Sequence, residues 1–169
     1  MSKSGVEHQH SDTAEVAAGY RAVACKEYPE TAIGADYLAE YFISTSHKFL
    51  AKFGFVRKLG IAKSRKFTPG GFEYVLARTA FFDRQLLSAL ETGAKQLVIL
   101  GAGFDTRAYR FAEQCSGCKI IELDIASTQN RKKECLQSAG IAIPKNLTFA
   151  SINFNLESLP DVLRQAGYN

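Results

Sequence analysis

No stretch of the 169-residue chain approaches the ~20 apolar residues that cross a bilayer, so neither a membrane span nor a membrane partner is expected. The opening, MSKSGVEHQHSDTAEV, has no apolar h-region and does not read as a secretory signal. Its polar composition reads as a flexible tail over residues 1–15. A cytoplasmic protein with reduced thiols is the expectation. Cysteine is scarce: Cys25, Cys115, Cys118 and Cys135 are the four. Cys115 and Cys118 form one C-x-x-C, but no second pair and no histidine pair stands at zinc spacing. The redox version of that motif follows a strand and opens a helix, whereas this one precedes a strand. The three histidines, His8, His10 and His47, are too scattered to suggest a metal site, and no metal is expected.

Acids are missing from one long segment. Lys48, Lys52, Arg57, Lys58, Lys63, Arg65 and Lys66 follow one another with no acid between them. The chain has 21 basic and 17 acidic residues, so outside this segment the acids outnumber the bases. Interleaved Phe49, Phe53 and Phe55 would suit a nucleic-acid or membrane surface. The modest net charge of +4 favours a solvated helix face near an anionic substrate or partner, and no nucleic-acid partner is expected.

What is present is an ordinary globular composition, 46% hydrophobic and 22% charged, long enough for one sizeable core or part of a larger one. From Ala14 to Glu91 the pattern is mostly helical, and residues 16–91 read as a helical cap. GADYLAEYF places Tyr37, Leu38, Tyr41 and Phe42 on one helical face. GFEYVLARTAFFDRQLLSAL does the same with Phe72, Val75, Leu76, Phe82, Leu86, Leu87 and Leu90, and TPGG at 68–71 breaks the two runs. These stripes read as core, because an amphipathic helix needs a buried face.

After Glu91 the period changes. KQLVILGAG reads as a buried parallel strand, apolar without alternation. TRAYRFAEQC reads as a helix opened by Asp105 as its N-cap, and CKIIELD as a second strand ending at Asp124. STQNRKKECLQSAG is a second helix closed by Gly140, NLTFASINF a third strand, and LESLPDVLRQAGYN a third helix with Pro160 in its first turn. Alternation at this spacing predicts an α/β fold with a parallel sheet and right-handed crossovers. Residues 92–169 read as the first half of a Rossmann-like cofactor-binding domain.

In such a sheet the ligand sits at the carboxyl ends of the strands, over the first turn. Gly101 and Gly103 allow tight backbone geometry and close approach there. Asp124, 21 residues beyond Gly103, ends the second strand, where a carboxylate accepts both hydroxyls of a ribose. Together they predict an adenosine-type cofactor. A dinucleotide wants G-x-G-x-x-G, with phosphates over the helix N-terminus. Here Thr106 stands in place of the third glycine, and Asp105 would set a negative charge against those phosphates. S-adenosyl-L-methionine has no phosphate. Its sulfonium and ammonium tolerate acids, and its carboxylate needs a cation, for which Arg78 and Arg107 are candidates.

The blocks ARTAFFD, LGAGFDTRAYR and IIELD, in that order, resemble the leucine carboxyl methyltransferase family and its bacterial S-adenosyl-L-methionine-dependent O-methyltransferase relatives. The resemblance covers residues 20–169 and carries a Rossmann-like fold. It implies that Arg78 holds the methionine carboxylate, that Gly101, Ala102 and Gly103 line the cofactor, and that Asp124 binds the ribose. Asp105 and Arg107 would brace the loop or contact the cofactor directly. Relatives carry an Asp-Leu pair that contacts the adenine; the matching positions here are Asn153 and Phe154, a departure that bears on cofactor affinity. Asparagine keeps a carbonyl for the adenine amino group.

The family pattern continues past the segment matching QAGYN, into a strand with a glutamate and a tyrosine-leucine pair and on to substrate-binding elements. The chain is therefore expected to be a truncated form, with its first strand an exposed edge open to self-association. The activity implied is methyl transfer to an oxygen, a carboxylate or hydroxyl of a small molecule or peptide end. No catalytic base is identified. The alternatives are a non-catalytic remnant or partner-binding fragment and, third, an NAD(P)-dependent oxidoreductase.

Overall fold

The computed structural model describes residues 12–29 and 35–169. Most of the tail expected over 1–15, including His8 and His10, lies outside the described residues, and α1 begins at Asp12. Two compact units are present among the described residues, Asp12–Leu87 and Ser88–Asn169.

The first unit is helical: α1 (Asp12–Glu27), a short 3-10 helix (Ala39–Phe42), α2 (Thr45–Leu50), α3 (Gly54–Phe67) and α4 (Gly71–Glu91), whose last residues belong to the second unit. Ala24, Ile61 and Phe72 form one buried cluster, with Tyr20, Val23 and Leu76 packed on them and Tyr20 edge-on to Phe72 at 5.4 Å. The GADYLAEYF segment differs from the expected helix. The buried Asp36 carboxylate accepts the Leu38 and Ala39 N–H groups, and its other oxygen pairs with Arg21 at 2.9 Å. Those bonds close a turn ahead of the 3-10 helix, whose own N-cap position is Leu38 and carries no side-chain cap bond. In the three-residue period of that helix, Ala39 and Phe42 eclipse and are buried, while Tyr37 is 59% exposed. On α4, Phe72 and Leu86 are buried as expected, but Phe82 is 48% exposed.

The basic segment is partly neutralised within this unit. Arg57 pairs with Glu27 at 2.6 Å and Arg65 with Glu73 at 2.6 Å, while Lys48 donates to the Tyr41 carbonyl. Among the described residues no helix is long and apolar enough to cross a membrane, and no group of three or more metal-ligating side chains comes together.

The second unit runs β1 (Gln96–Leu100), α5 (Arg107–Arg110), β2 (Lys119–Asp124), α6 (Ala126–Ser138), β3 (Leu147–Ser151) and α7 (Leu159–Gln165). The three strands are parallel in the order β1-β2-β3, with Val98 opposite Ile121 and Glu122 opposite Phe149. This is the α/β architecture that the alternating pattern predicts. Central β2 is buried from Ile120 to Leu123. Side chains alternate across a strand, so Ile121 and Leu123 join Ala150 and Ile152 on the face covered by Leu159, Val162 and Leu163 of α7. Ile120 and Glu122 face the other way, toward Lys132 of α6. Gly140 follows α6 at φ +67°, and Pro160 lies in the first turn of α7.

One element is shorter than its sequence suggests. The expected helix over 106–115 is helical only at Arg107–Arg110 and continues as irregular turns to Gly117. Those turns bury Cys115 and Cys118, whose carbonyls both accept the Asn146 side-chain amide. Burial pushes both thiols above their usual range, the opposite of what a reactive pair needs.

Candidate cofactor-binding site

The turn after β1 is built by two glycines with positive φ, Gly101 at +60° and Gly103 at +49°. Both lie in the left-handed region, which side chains with a Cβ resist. A Cβ on Gly101 would meet open space, so what demands glycine there is backbone conformation. Ala102 is buried and donates its N–H to the Leu123 carbonyl at 2.9 Å, stitching the turn to the end of β2.

Asp124 completes the fastening. Its Oδ2 accepts the Gly103 N–H at 2.6 Å and its Oδ1 accepts the Ile125 N–H at 2.7 Å. A carboxylate offers about four acceptor positions, so each oxygen keeps one for a further donor. The spacing noted in the sequence is thus a direct bond as well as a candidate ribose contact.

Asp105 and Arg107 are a brace. The guanidinium and backbone N–H of Arg107 both donate to the Asp105 carboxylate. Asp105 is not the N-cap of α5; Thr106 holds that position without a side-chain cap bond and receives Arg110 Nε at 2.9 Å. Asp105 instead closes a local turn one residue earlier, because the Arg107 N–H reaches its carboxylate first. Phe104 and Thr106, each 2% exposed, anchor the loop from beneath.

Next to Asp124, at the carboxyl ends of β2 and β3, a cavity of about 450 Å³ is lined by Ile125, Ser127, Asn130, Ile152, Asn153 and Glu157 among others. Its volume falls within the roughly 300–1,000 Å³ range of small-molecule sites. Asn153 donates its backbone N–H to Glu157 Oε2 at 2.6 Å, while its side-chain carbonyl accepts the Asn155 N–H at 3.1 Å. Phe154 is 48% exposed. Arg78 is an exposed residue of α4 in the helical unit. The structure therefore places residues 101–105, Asp124 and Asn153 at the carboxyl ends of the three strands. Reading the sequence missed Lys132, which meets Glu122 inside the unit, and the polar pair Ser127 and Asn130. An acid inside the apolar IIELD was the one available signal for the first.

A parallel α/β sheet with a glycine turn after its first strand and an acid closing its second is the architecture of proteins that hold a nucleoside-type ligand over the strand ends. The chain belongs to the leucine carboxyl methyltransferase family, whose model matches residues 14–169. It is 38% identical over 93 residues to the Bacillus subtilis protein named "Putative S-adenosyl-L-methionine-dependent methyltransferase YktD", an alignment covering 55% of this chain and 31% of the relative. Proteins of the same description from Mycolicibacterium paratuberculosis and Mycobacterium bovis are each 36% identical, over 100 and 107 residues, covering 59% and 63% of this chain. Those alignments cover 31% and 35% of the two relatives. The chain thus spans about a third of the length of the curated relatives it matches.

Proposed function

We propose that this chain carries the S-adenosyl-L-methionine-binding elements of a methyltransferase acting on oxygen, with a carboxylate or hydroxyl of a small molecule or peptide terminus as acceptor. The observation that carries the reading is Asp124, which fastens Gly103 and keeps an acceptor position on each oxygen beside a cavity of about 450 Å³. The ribose diol would donate to Asp124, and the adenine would enter the cavity by Asn153. When bound, the cofactor supplies an electrophilic methyl group on a sulfonium. The contribution of the chain is to bind and orient it. Gly101 and Gly103 admit the ligand close to the backbone, and Arg78 is proposed to hold the methionine carboxylate. With Asp105 paired to Arg107, it is the Asp124 carboxylate at the turn that suits a cationic ligand better than a pyrophosphate. Association with a second copy through the open side of β1 belongs to the same proposal.

The test is calorimetric titration with S-adenosylhomocysteine and, separately, NADH. Saturable heat with the first and none with the second is expected. Saturation by NADH alone would replace the reading with a dinucleotide one.

A further inference from the structure

Glu122 sits in the middle of β2 with no exposed surface. Lys132 of α6, 1% exposed, places Nζ 2.6 Å from Glu122 Oε2 and 5.5 Å from the centre of the Tyr109 ring on α5. Glu122 Oε1 and the Tyr109 hydroxyl are both buried without a hydrogen-bond partner. A buried ion pair regains its desolvation cost only when its remaining polar positions are satisfied, and an apolar pair of the same volume is often at least as stable. Stability is therefore a poor account of this pair.

Its location gives a better one. Glu122 lies two residues before Asp124 on the same face of β2, and Tyr109 lies on the helix that leaves the glycine turn. Asp105 lies in that turn, Asp124 binds it, and Glu122 lies two residues further back along β2. Arg107 neutralises Asp105, and Lys132 neutralises Glu122, while Asp124 is left to hold Gly103. We infer that Lys132 is a positioning residue for the cofactor-binding turn. By neutralising Glu122 it allows Asp105 and Asp124 to keep their bonds to Arg107 and Gly103. The inference rests on the proposed cofactor for its binding readout.

A specific pH signature follows. The titratable groups facing Glu122 are Lys132 from α6, Tyr109 from α5, Asp105 from the turn and Asp124 from its own strand. Its strand neighbours Ile99 and Phe149 do not titrate. Burial lifts the Glu122 carboxyl above its usual range, Lys132 opposes that rise, and Asp105 and Asp124 add to it. With Lys132→Met the opposing influence goes and the carboxyl rises further. At low pH Glu122 is then neutral and the turn intact. At high pH it is an uncompensated ion that repels the two acids holding the turn.

The experiment titrates S-adenosylhomocysteine into the full chain, into Lys132→Met and into Lys132→Met with Glu122→Gln, from the most acid pH at which each stays folded up to pH ~9, with ligand-free melting in parallel. Lys132→Met should bind within about threefold of the parent at the acid end and at least about tenfold more weakly at the alkaline end. The double variant should bind like the parent at both ends. Because the folded-state pKa of Glu122 is raised, its favourable contribution is present at low pH and lost as pH rises through that value. The melting temperature of Lys132→Met should accordingly fall with pH relative to the double variant. Unchanged binding in Lys132→Met, or weakening equal at every pH and not rescued by Glu122→Gln, would overturn the inference. A parent chain that does not bind S-adenosylhomocysteine would overturn the cofactor reading instead. The melting series would then decide the inference, parallel curves for the single and double variants refuting it.

Discussion

Asp124 combines two tasks that substitution can separate. Asp124→Ala removes the acceptor for the Gly103 N–H and the proposed ribose contact, and should weaken S-adenosylhomocysteine binding by about 1–3 kcal/mol. Asp124→Asn keeps one acceptor oxygen and should fall between the parent and the alanine variant by calorimetry. Arg78→Ala should lose a comparable amount, because it would leave the ligand carboxylate without its cation. Equal affinity in all of these proteins would place the ligand elsewhere. Gly101, Gly103 and Asp124 were legible in the sequence because each answers a local demand, two for positive φ and one for an acid at a strand end. Lys132 was not. Its partner is ten residues away on another element, and a lysine in a charged helix reads as solvated until the sheet beneath it is known. Asp105 was legible as a turn residue, but which N–H it takes is settled by side-chain geometry that spacing does not encode.

Elements with a strong period were read well, and short ones were not. β2 and α6 stand where their patterns place them. Between Asp36 and Phe42 the chain makes a turn and then a 3-10 helix of four residues, and α5 stops at Arg110, before the turns that carry Cys115 and Cys118. A single side chain ties α1 to the start of α2. Glu15 accepts the Ser44 N–H at 2.7 Å and faces His47 Nδ1 at 3.4 Å. Burial by itself would raise the Glu15 carboxyl, but the Ser44 N–H, His47 and the Ser44 hydroxyl outweigh it and hold the group below its usual range. A depressed carboxyl contributes stability above its unfolded pKa and loses it as pH falls through the folded value. Thermal melting of the parent should therefore fall with acidification below pH ~4.5 more steeply than that of Glu15→Gln. Curves that stay parallel would remove Glu15 from the acid sensitivity of this unit.

For the molecule as a whole, the first strand lies at one side of the sheet. Among the described residues β1 pairs only with β2, and Leu100 is 54% exposed while Leu123 beside it is fully buried. An open parallel edge is a template for another strand. In a dilution series by light scattering, the mean mass of residues 1–169 should rise with protein concentration. A single monomer mass at every concentration would dismiss association through β1. The order β1-β2-β3 also has a consequence for how the chain reaches its native state. Among the described residues every strand pairing is parallel and spans a full crossover, so none of these pairings can form as an early hairpin. Sheets assembled only from such non-local pairings close slowly, because chain entropy is lost before contacts compensate it. While β2 waits for its neighbours, its apolar run IIEL has two unpaired sides, and competing encounters between chains grow with concentration during that delay. Refolding of this chain is thus a race between intramolecular crossover and intermolecular pairing.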